Sequence, residues 1–423
     1  MGNYSLLLML FISMLQSQWQ EINQPTTWEN GTIDIIRAQG NKLYTVTNQA
    51  QVYTSNDQAY SWEMLADTLE TFPYGADLLF IKNNTAFISQ NIGEGPYNYA
   101  CLFDSGGWQE LPYQSSALVS MIDNDSLIFT LLNGISISSD MGENWSQIPD
   151  PPILGYIQLN LATDEYLYVS HGCQVYRTGD LGETWEDITG LLDDEGFESP
   201  YNCGGVMSMV SHGDQLIISM YWGGGMGKLF VSNDHGITWL MIDDFPLEHS
   251  ISAMASKNNI LFIGTGSTNS GVFYTTDLIN WIDFSVGLES YNYAVNQLVV
   301  TDDYLYKTGG TFNTYQISLI ELNTQLEKEE PIQFYLSQNY PNPFNPNTNI
   351  GYYLPNNSFV TINIFDLMGR NIKSLVNVNQ PAGYRSIKWD ATNYYDEKVS
   401  GGLYVYSIQT SDFIATKKML LLK

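Results

Sequence analysis

From Thr32 to Leu319 the chain is a succession of short apolar runs separated by Gly, Asn, Asp and Ser. Runs of this length, bounded by turn residues, predict β-strands. No long stretch shows helical periodicity beyond the N-terminus. One turn recurs: Ser138-Ser139-Asp140-Met141-Gly142-Glu143-Asn144-Trp145, Thr178-Gly179-Asp180-Leu181-Gly182-Glu183-Thr184-Trp185 and Ser232-Asn233-Asp234-His235-Gly236-Ile237-Thr238-Trp239. Three full copies of Ser/Thr-x-Asp-x-Gly-x-x-Trp in one chain make it an internal repeat.

Aligned on this box, the repeat is four strands long, with the box as the turn between strands three and four. The third copy runs Leu118–Asp123, Ser126–Leu132, Gly134–Ser138 and Trp145–Ile148. The fourth runs Tyr156–Leu161, Tyr166–Ser170, Cys173–Thr178 and Trp185–Ile188, and the fifth Val206–Ser211, Gln215–Met220, Lys228–Ser232 and Trp239–Ile242. Degenerate copies fit at Thr32–Leu65 (Ala59 replacing Gly), Asp77–Leu111 (retaining Asp104 and Trp108) and Ile251–Phe284 (one residue shorter from Asp277 to Trp281). A seventh copy supplies three strands, Val295–Thr301, Tyr304–Thr308 and Thr314–Leu319. Its missing fourth strand is matched by Trp19-Gln20-Glu21-Ile22, which resembles Trp108-Gln109-Glu110-Leu111. A strand returned from the N-terminus closes a ring and removes an exposed sheet edge. The predicted fold of residues 19–320 is all-β, a seven-bladed β-propeller closed by an N-terminal strand.

The box residues suit a tight hairpin. Asp accepts backbone N–H groups within the turn, the Ser/Thr hydroxyl adds a local bond, and Gly tolerates positive φ. Trp is expected to pack over its own hairpin. The pattern resembles the Asp-box, or BNR, repeat of sialidases and other secreted propellers. That resemblance implies that Ser138, Asp140, Gly142, Trp145, Thr178, Asp180, Gly182, Trp185, Ser232, Asp234, Gly236 and Trp239 are structural, on the periphery and away from the ligand.

Residues 321–333 are charged and polar and read as a linker. From 334 to 423 follow Leu336-Ser337-Gln338-Asn339-Tyr340-Pro341-Asn342-Pro343-Phe344-Asn345-Pro346, Asp366-Leu367-Met368-Gly369-Arg370, Gly402-Leu403-Tyr404 and Lys417-Lys418-Met419-Leu420-Leu421-Leu422-Lys423. Alternating strands at Val360–Phe365, Arg385–Trp389 and Leu403–Ile408 predict a small immunoglobulin-like β-sandwich. These motifs, in this order, resemble the type A C-terminal sorting domain of the type IX secretion system. The resemblance implies the type IX machinery as partner, export across a gram-negative outer membrane, and a secreted or surface address. An ordinary adhesion domain is the alternative.

Charge divides the same way. Residues 334–423 carry eight Lys/Arg against five Asp/Glu, leaving eight against forty before them. So acidic a body disfavours nucleic acid and anionic surfaces as partners. Leu6–Leu15 is an apolar run too short to span a bilayer, and residues 1–18 read as a signal peptide, although no Lys or Arg precedes the run. A buried N-terminal strand is the alternative. No other segment reads as transmembrane. The three cysteines and four histidines lack metal-ligand spacing, so no metal and no cofactor is expected.

Strand alternation puts the one–two and three–four turns, hence the boxes, on one face. The long connections fall on the other: Ala66–Ala76, Asn91–Asn98, Thr189–Gly205, Tyr221–Gly227, Gly264–Ser270 and Ser285–Ala294. Long loops on a rigid scaffold are where function concentrates. Tyr74, Tyr97, Phe197, Tyr201, Trp222, Tyr291 and Tyr293 are the candidate binding residues there. Asp193, Asp194, Glu195 and Glu198 are candidate catalytic carboxylates. Cys173 and Cys203 map to neighbouring repeats on this face, and an oxidising compartment makes them a candidate disulfide. Three functions fit: a non-catalytic glycan- or protein-binding module, a glycoside hydrolase with paired carboxylates, and an assembly or chaperone-like propeller. A sialidase is disfavoured, because that family clusters three arginines and this body has Arg37 and Arg177.

Overall fold

The computed structural model describes residues 18–25, 33, 35–46, 51–66, 78–82, 85–91, 96–102, 107–110, 121–123, 127–131, 134–140, 144–153, 155, 157–190, 203–222, 227–242, 250–266, 271–285, 287–288, 294–309, 314–320, 322, 334–339 and 342–422. Every named element is a β-strand.

Among the described residues, seven four-stranded antiparallel sheets form the body. The first comprises Ile36–Gln39, Lys42–Val46, Val52–Ser55 and Glu63–Ala66, and the second Leu78–Lys82, Thr85–Asn91, Pro96–Leu102 and Gly107–Glu110. The third is Met121–Asp123, Ile128–Leu131, Ile135–Ser138 and Ser146–Gln147, and the fourth Gln158–Ala162, Leu167–His171, Gln174–Thr178 and Glu186–Asp187. The fifth is Cys203–His212, Gln215–Trp222, Gly227–Ser232 and Leu240–Met241, and the sixth Ile251–Lys257, Ile260–Thr265, Val272–Thr275 and Ile282–Asp283. The seventh joins Gln297–Val300, Tyr304–Thr308 and Tyr315–Ser318 to Gln20–Glu21, with Gln20 opposite Gln316 and Glu21 opposite Tyr315. Ile22 extends that ladder by donating its N–H to Thr314 O at 3.1 Å.

First strands pack against one another between the first and second sheets and from the third sheet through to the seventh, and that of the seventh packs against that of the first. Lys82 and Asp123 join the second and third sheets through a 2.7 Å ion pair. The apolar clusters accordingly lie between sheets. Tyr168, Val175, Ile218 and Phe230 join the fourth to the fifth, and Phe262, Tyr274, Leu298 and Leu305 the sixth to the seventh. Each fully buried large apolar side chain contributes about 1.5–3 kcal/mol relative to exposure, so neighbouring sheets stabilise one another.

After Leu322, which is buried on the body, the described chain resumes at Phe334 in a two-sheet unit. One sheet orders Tyr335–Leu336, Thr348–Leu354 and Gly383–Trp389; the other orders Asn371–Gln380, Ser358–Phe365, Gly402–Gln409 and Ile414–Leu421. Between them lies a core of Ile350, Tyr352, Val360, Ile362, Ile364, Tyr406 and Met419 around Trp389. The tail motifs meet here. Tyr406 donates its hydroxyl to Ser337 O at 2.7 Å and accepts Asn339 N at 2.8 Å. Phe344 packs on Trp389 and pairs with the edge strand, its N–H donating to Leu420 O at 3.0 Å. Asp366 accepts the N–H groups of Met368 and Arg370 and binds the Arg370 guanidinium at 2.6 Å, while Gly369 sits at φ 77°.

Candidate functional site

The repeated turn is the best-defined polar constellation. In the fourth sheet Thr178 accepts Gly182 N at 2.9 Å and donates to Asp180 at 2.8 Å. Asp180 also accepts the Thr184 N–H at 2.8 Å and the Thr184 hydroxyl at 2.6 Å. The fifth sheet repeats this with Ser232, Asp234, Gly236 and Thr238. In the third, Asp140 accepts from Ser138 and twice from Asn144. These bonds favour the carboxylate form, so Asp180, held chiefly by the Thr184 hydroxyl, and Asp140, held chiefly by the Asn144 N–H, lie below the usual carboxyl range. Both oxygens of each are engaged within the turn, which suits a structural part better than acid–base chemistry.

Two features of the turn go beyond the sequence expectation. Its left-handed stretch is two residues long: Leu181 (φ 56°) precedes Gly182 (φ 86°), and His235 (φ 58°) precedes Gly236 (φ 95°). The first sheet makes the same bend with Gln58 and Ala59, without a glycine. The tryptophan also reaches across to the preceding sheet, while the Trp239 ring still lies against Gly236 of its own turn. The indole N–H groups of Trp185, Trp239, Trp62 and Trp19 donate to Pro149 O, Ile188 O, Asn23 O and Phe284 O at 2.9, 2.8, 2.7 and 2.6 Å. Each acceptor follows the outer strand of the neighbouring sheet. Trp19, next to the strand Gln20–Glu21, thereby clasps the seventh sheet to the sixth.

Arg177 belongs to the same belt. Its guanidinium bonds Glu186 at 2.6 Å and His235 O at 2.7 Å and lies 4.4 Å from the Tyr166 ring centroid. It is buried between the fourth and fifth sheets, where protein groups surround it.

Of the residues expected on the opposite face, Tyr74, Phe197, Tyr201, Tyr291, Tyr293, Asp193, Asp194, Glu195 and Glu198 lie outside the described residues, as does Gly142 of the boxes. Tyr97 and Trp222 are strand residues instead of loop residues, Tyr97 paired with Gln90 and Trp222 with Cys203. Both hairpins extend further than their composition suggested, leaving connections of residues 92–95 and 223–226. Cys203 likewise opens the strand Cys203–His212 rather than ending the loop before it. Cys173 is disulfide-bonded, and adjacent backbone joins the two sheets here, Val206 N donating to Gly172 O at 3.3 Å.

Sequence reasoning missed Lys307 on this rim. Its buried ammonium donates to Ala294 O at 3.0 Å and Gly309 O at 3.1 Å, tying the entry and exit of the seventh sheet's long connections. Burial pulls its pKa down to about 8. A lysine inside an otherwise apolar strand, Tyr304-Leu305-Tyr306-Lys307, was the available signal. Among the described residues no group of His, Cys, Asp and Glu is arranged to hold a metal, and no helix is long and apolar enough to cross a membrane.

With this geometry in view, comparison with known proteins divides the chain. Residues 338–422 match the secretion system C-terminal sorting domain, the type IX sorting tail. No curated protein matches the chain significantly. Among solved structures, the chain is similar to YCF48 bound to D1 peptide, with 16% identity over 71% of this chain and 96% of that one, TM-score 0.53. YCF48 from Cyanidioschyzon merolae gives 11% identity over 71% and 98%, TM-score 0.50. The GH74 xyloglucanase from Xanthomonas campestris gives 13% over 94% and 66%, TM-score 0.50. Likeness at this identity concerns fold alone. The body is a β-propeller, and it carries a type IX sorting domain that directs it to the cell surface or beyond.

Proposed function

We propose that the chain is an exported, seven-bladed Asp-box propeller whose box-free face binds a glycan or a protein without catalysis. The observation that carries this reading is the use of the box groups: Asp140, Asp180 and Asp234 are engaged inside their own turns. The residues that do not repeat, and the long connections, fall opposite. A propeller of similar fold bound to a peptide is consistent with a binding role. The same fold in a xyloglucanase keeps glycoside hydrolysis as the second reading. On this proposal residues 1–18 are a signal peptide, 19–320 the propeller, 321–333 a linker and 334–423 an immunoglobulin-like sorting sandwich. The protein is then secreted by, or displayed on, a gram-negative cell.

Binding of the full chain to glycan and peptide arrays tests this, beside a panel of chromogenic glycosides. Tyr97→Ala and Trp222→Ala are expected to weaken capture about tenfold with unchanged melting. Glycoside turnover that disappears on Asp193→Asn or Glu195→Gln would replace binding by hydrolysis. Silence on both arrays, with a co-purifying protein, would favour assembly. We further propose that Cys173 pairs with Cys203, supported by the backbone contact between Val206 and Gly172. Peptide mapping without reduction should recover that pair, and a Cys101–Cys173 peptide would overturn it.

A further inference from the structure

The sixth sheet's turn departs from the other boxes. It is one residue shorter, yet Asp277 still accepts the Thr275 hydroxyl and the N–H groups of Ile279 and Asn280. Leu278, at φ 61°, donates its N–H to Thr275 Oγ1 at 2.9 Å as Gly182 and Gly236 donate to Thr178 and Ser232, so the residue this box lacks is the counterpart of Leu181, and Ile279 stands where Ile237 does. Ile237 is 60% exposed and Asp180 is exposed, as befits a peripheral turn, whereas their counterparts are covered: Ile279 is half-buried and Asp277 is 5% exposed. Something covers this hairpin and not its counterparts.

Tyr353 of the sorting domain lies against it. That ring packs on the cluster that includes Leu278, together with Ile279, Trp281 and Val210. Burial, and then the nearby Asp277 charge, push the Tyr353 hydroxyl's pKa upward.

The tail's two outer faces differ in the same sense. On Thr348–Leu354, the alternate residues Ile350, Tyr352 and Leu354 face the tail's own core. The opposite side carries Asn349, Gly351 and Tyr353. An outer face should be wet, but Asn349 and Gly351 are buried and Tyr353 half-buried. The four-stranded sheet leaves its outer face open, with Phe359 51% and Ile414 68% exposed.

We infer that the sorting domain is an internal ligand of the propeller, docked by its three-stranded sheet on the sixth hairpin through Tyr353. The tether favours this. Leu322 is buried on the body and Phe334 packs in the tail, a span of at most roughly 40 Å of extended chain. A short tether sustains an effective concentration on the order of millimolar, so even a weak contact stays closed. The dock lies on the box side. The propeller's elaborated face is therefore free while the tail is attached, and loss of the tail uncovers an apolar patch of Ile279 and Trp281. This surface is distinct from the proposed ligand face, so the two readings fail separately.

Hydrogen exchange on the full chain tests the dock. Tyr353→Glu, which sets a second carboxylate toward Asp277, and Ile279→Lys, which alters the body alone, should each speed exchange of residues 276–281 about tenfold. The equivalent turns 180–185 and 234–239 should not change, and Ser358–Phe365 should stay protected in Ile279→Lys. Small-angle scattering should show a larger radius of gyration in both variants. If Tyr353→Glu unfolds the tail, Ile279→Lys decides alone. Unchanged exchange at 276–281 in Ile279→Lys would overturn the inference.

Discussion

At the scale of single residues, the polar groups that look reactive are mostly bound to the chain itself. The box aspartates and Arg177 are engaged within or between turns, and Lys307 bonds two carbonyls. His212 is the buried group whose titration should be visible. It lies between the fifth and sixth sheets, 2.9 Å from Ser256 Oγ, and burial pulls its pKa from the ordinary 6.5 to about 4. Below about pH 6.5 the unfolded chain takes up a proton that the folded ring refuses. Stability therefore falls as the pH drops from about 6.5 and levels near 4, where the folded ring also protonates. The full effect is on the order of 3 kcal/mol. His212→Gln, which retains a partner for Ser256, should flatten that limb in melting temperatures measured across pH 4–7; an unchanged slope would place the acid sensitivity elsewhere.

At the scale of elements, the sheets are joined by close approach as well as by indole clasps. Ser89, Ser170, Ser219, Gly264 and Thr308 recur near the end of the second strand of their sheets. Two crossing distances show why the residue there is small. Ser219 Oγ lies 3.5 Å from Ile251 O of the next sheet, and a Cβ on Gly264 would come within 2.4 Å of the Val295 side chain. This periodicity was visible in the sequence, but only the crossing of the next sheet's first strand gives it a reason. Gly264→Ala should cost about 1–3 kcal/mol through overpacking. Chemical denaturation should show that loss and its partial recovery in Gly264→Ala/Val295→Ala. A neutral Gly264→Ala would mean the seam is loose enough to yield.

At the scale of the whole molecule, the N-terminal segment holds the ring. Gln20–Glu21 supplies the outer strand of the seventh sheet, and Trp19 is buried against Phe284, Phe262 and Tyr274 of the sixth. Trp19→Ala removes a large buried aromatic and the clasp to Phe284 O, at a cost of about 3–5 kcal/mol. It also frees the strand that covers the edge at Tyr315–Ser318. Lower melting together with light scattering on heating is the expected outcome; unchanged melting would show that the segment is dispensable.

Strand type and order were legible because they depend on local chemistry. Alternating apolar runs, the spacing of the boxes and the likeness of Trp19–Ile22 to Trp108–Leu111 are properties of the one-dimensional chain, as are the sorting-tail motifs. Strand ends were less legible. Ladder hydrogen bonds carry the hairpins at Asn91–Pro96 and Trp222–Gly227 past polar and glycine-rich residues that composition assigns to loops. Three matters depended on tertiary structure. Trp19, Trp62, Trp185 and Trp239 bond the preceding sheet, a hydroxyl or an amide suffices to fill a box, and one box lies under the tail. Each is set by neighbours far away in sequence, because a side chain's partner is chosen by the packing of sheets and not by the turn that presents it.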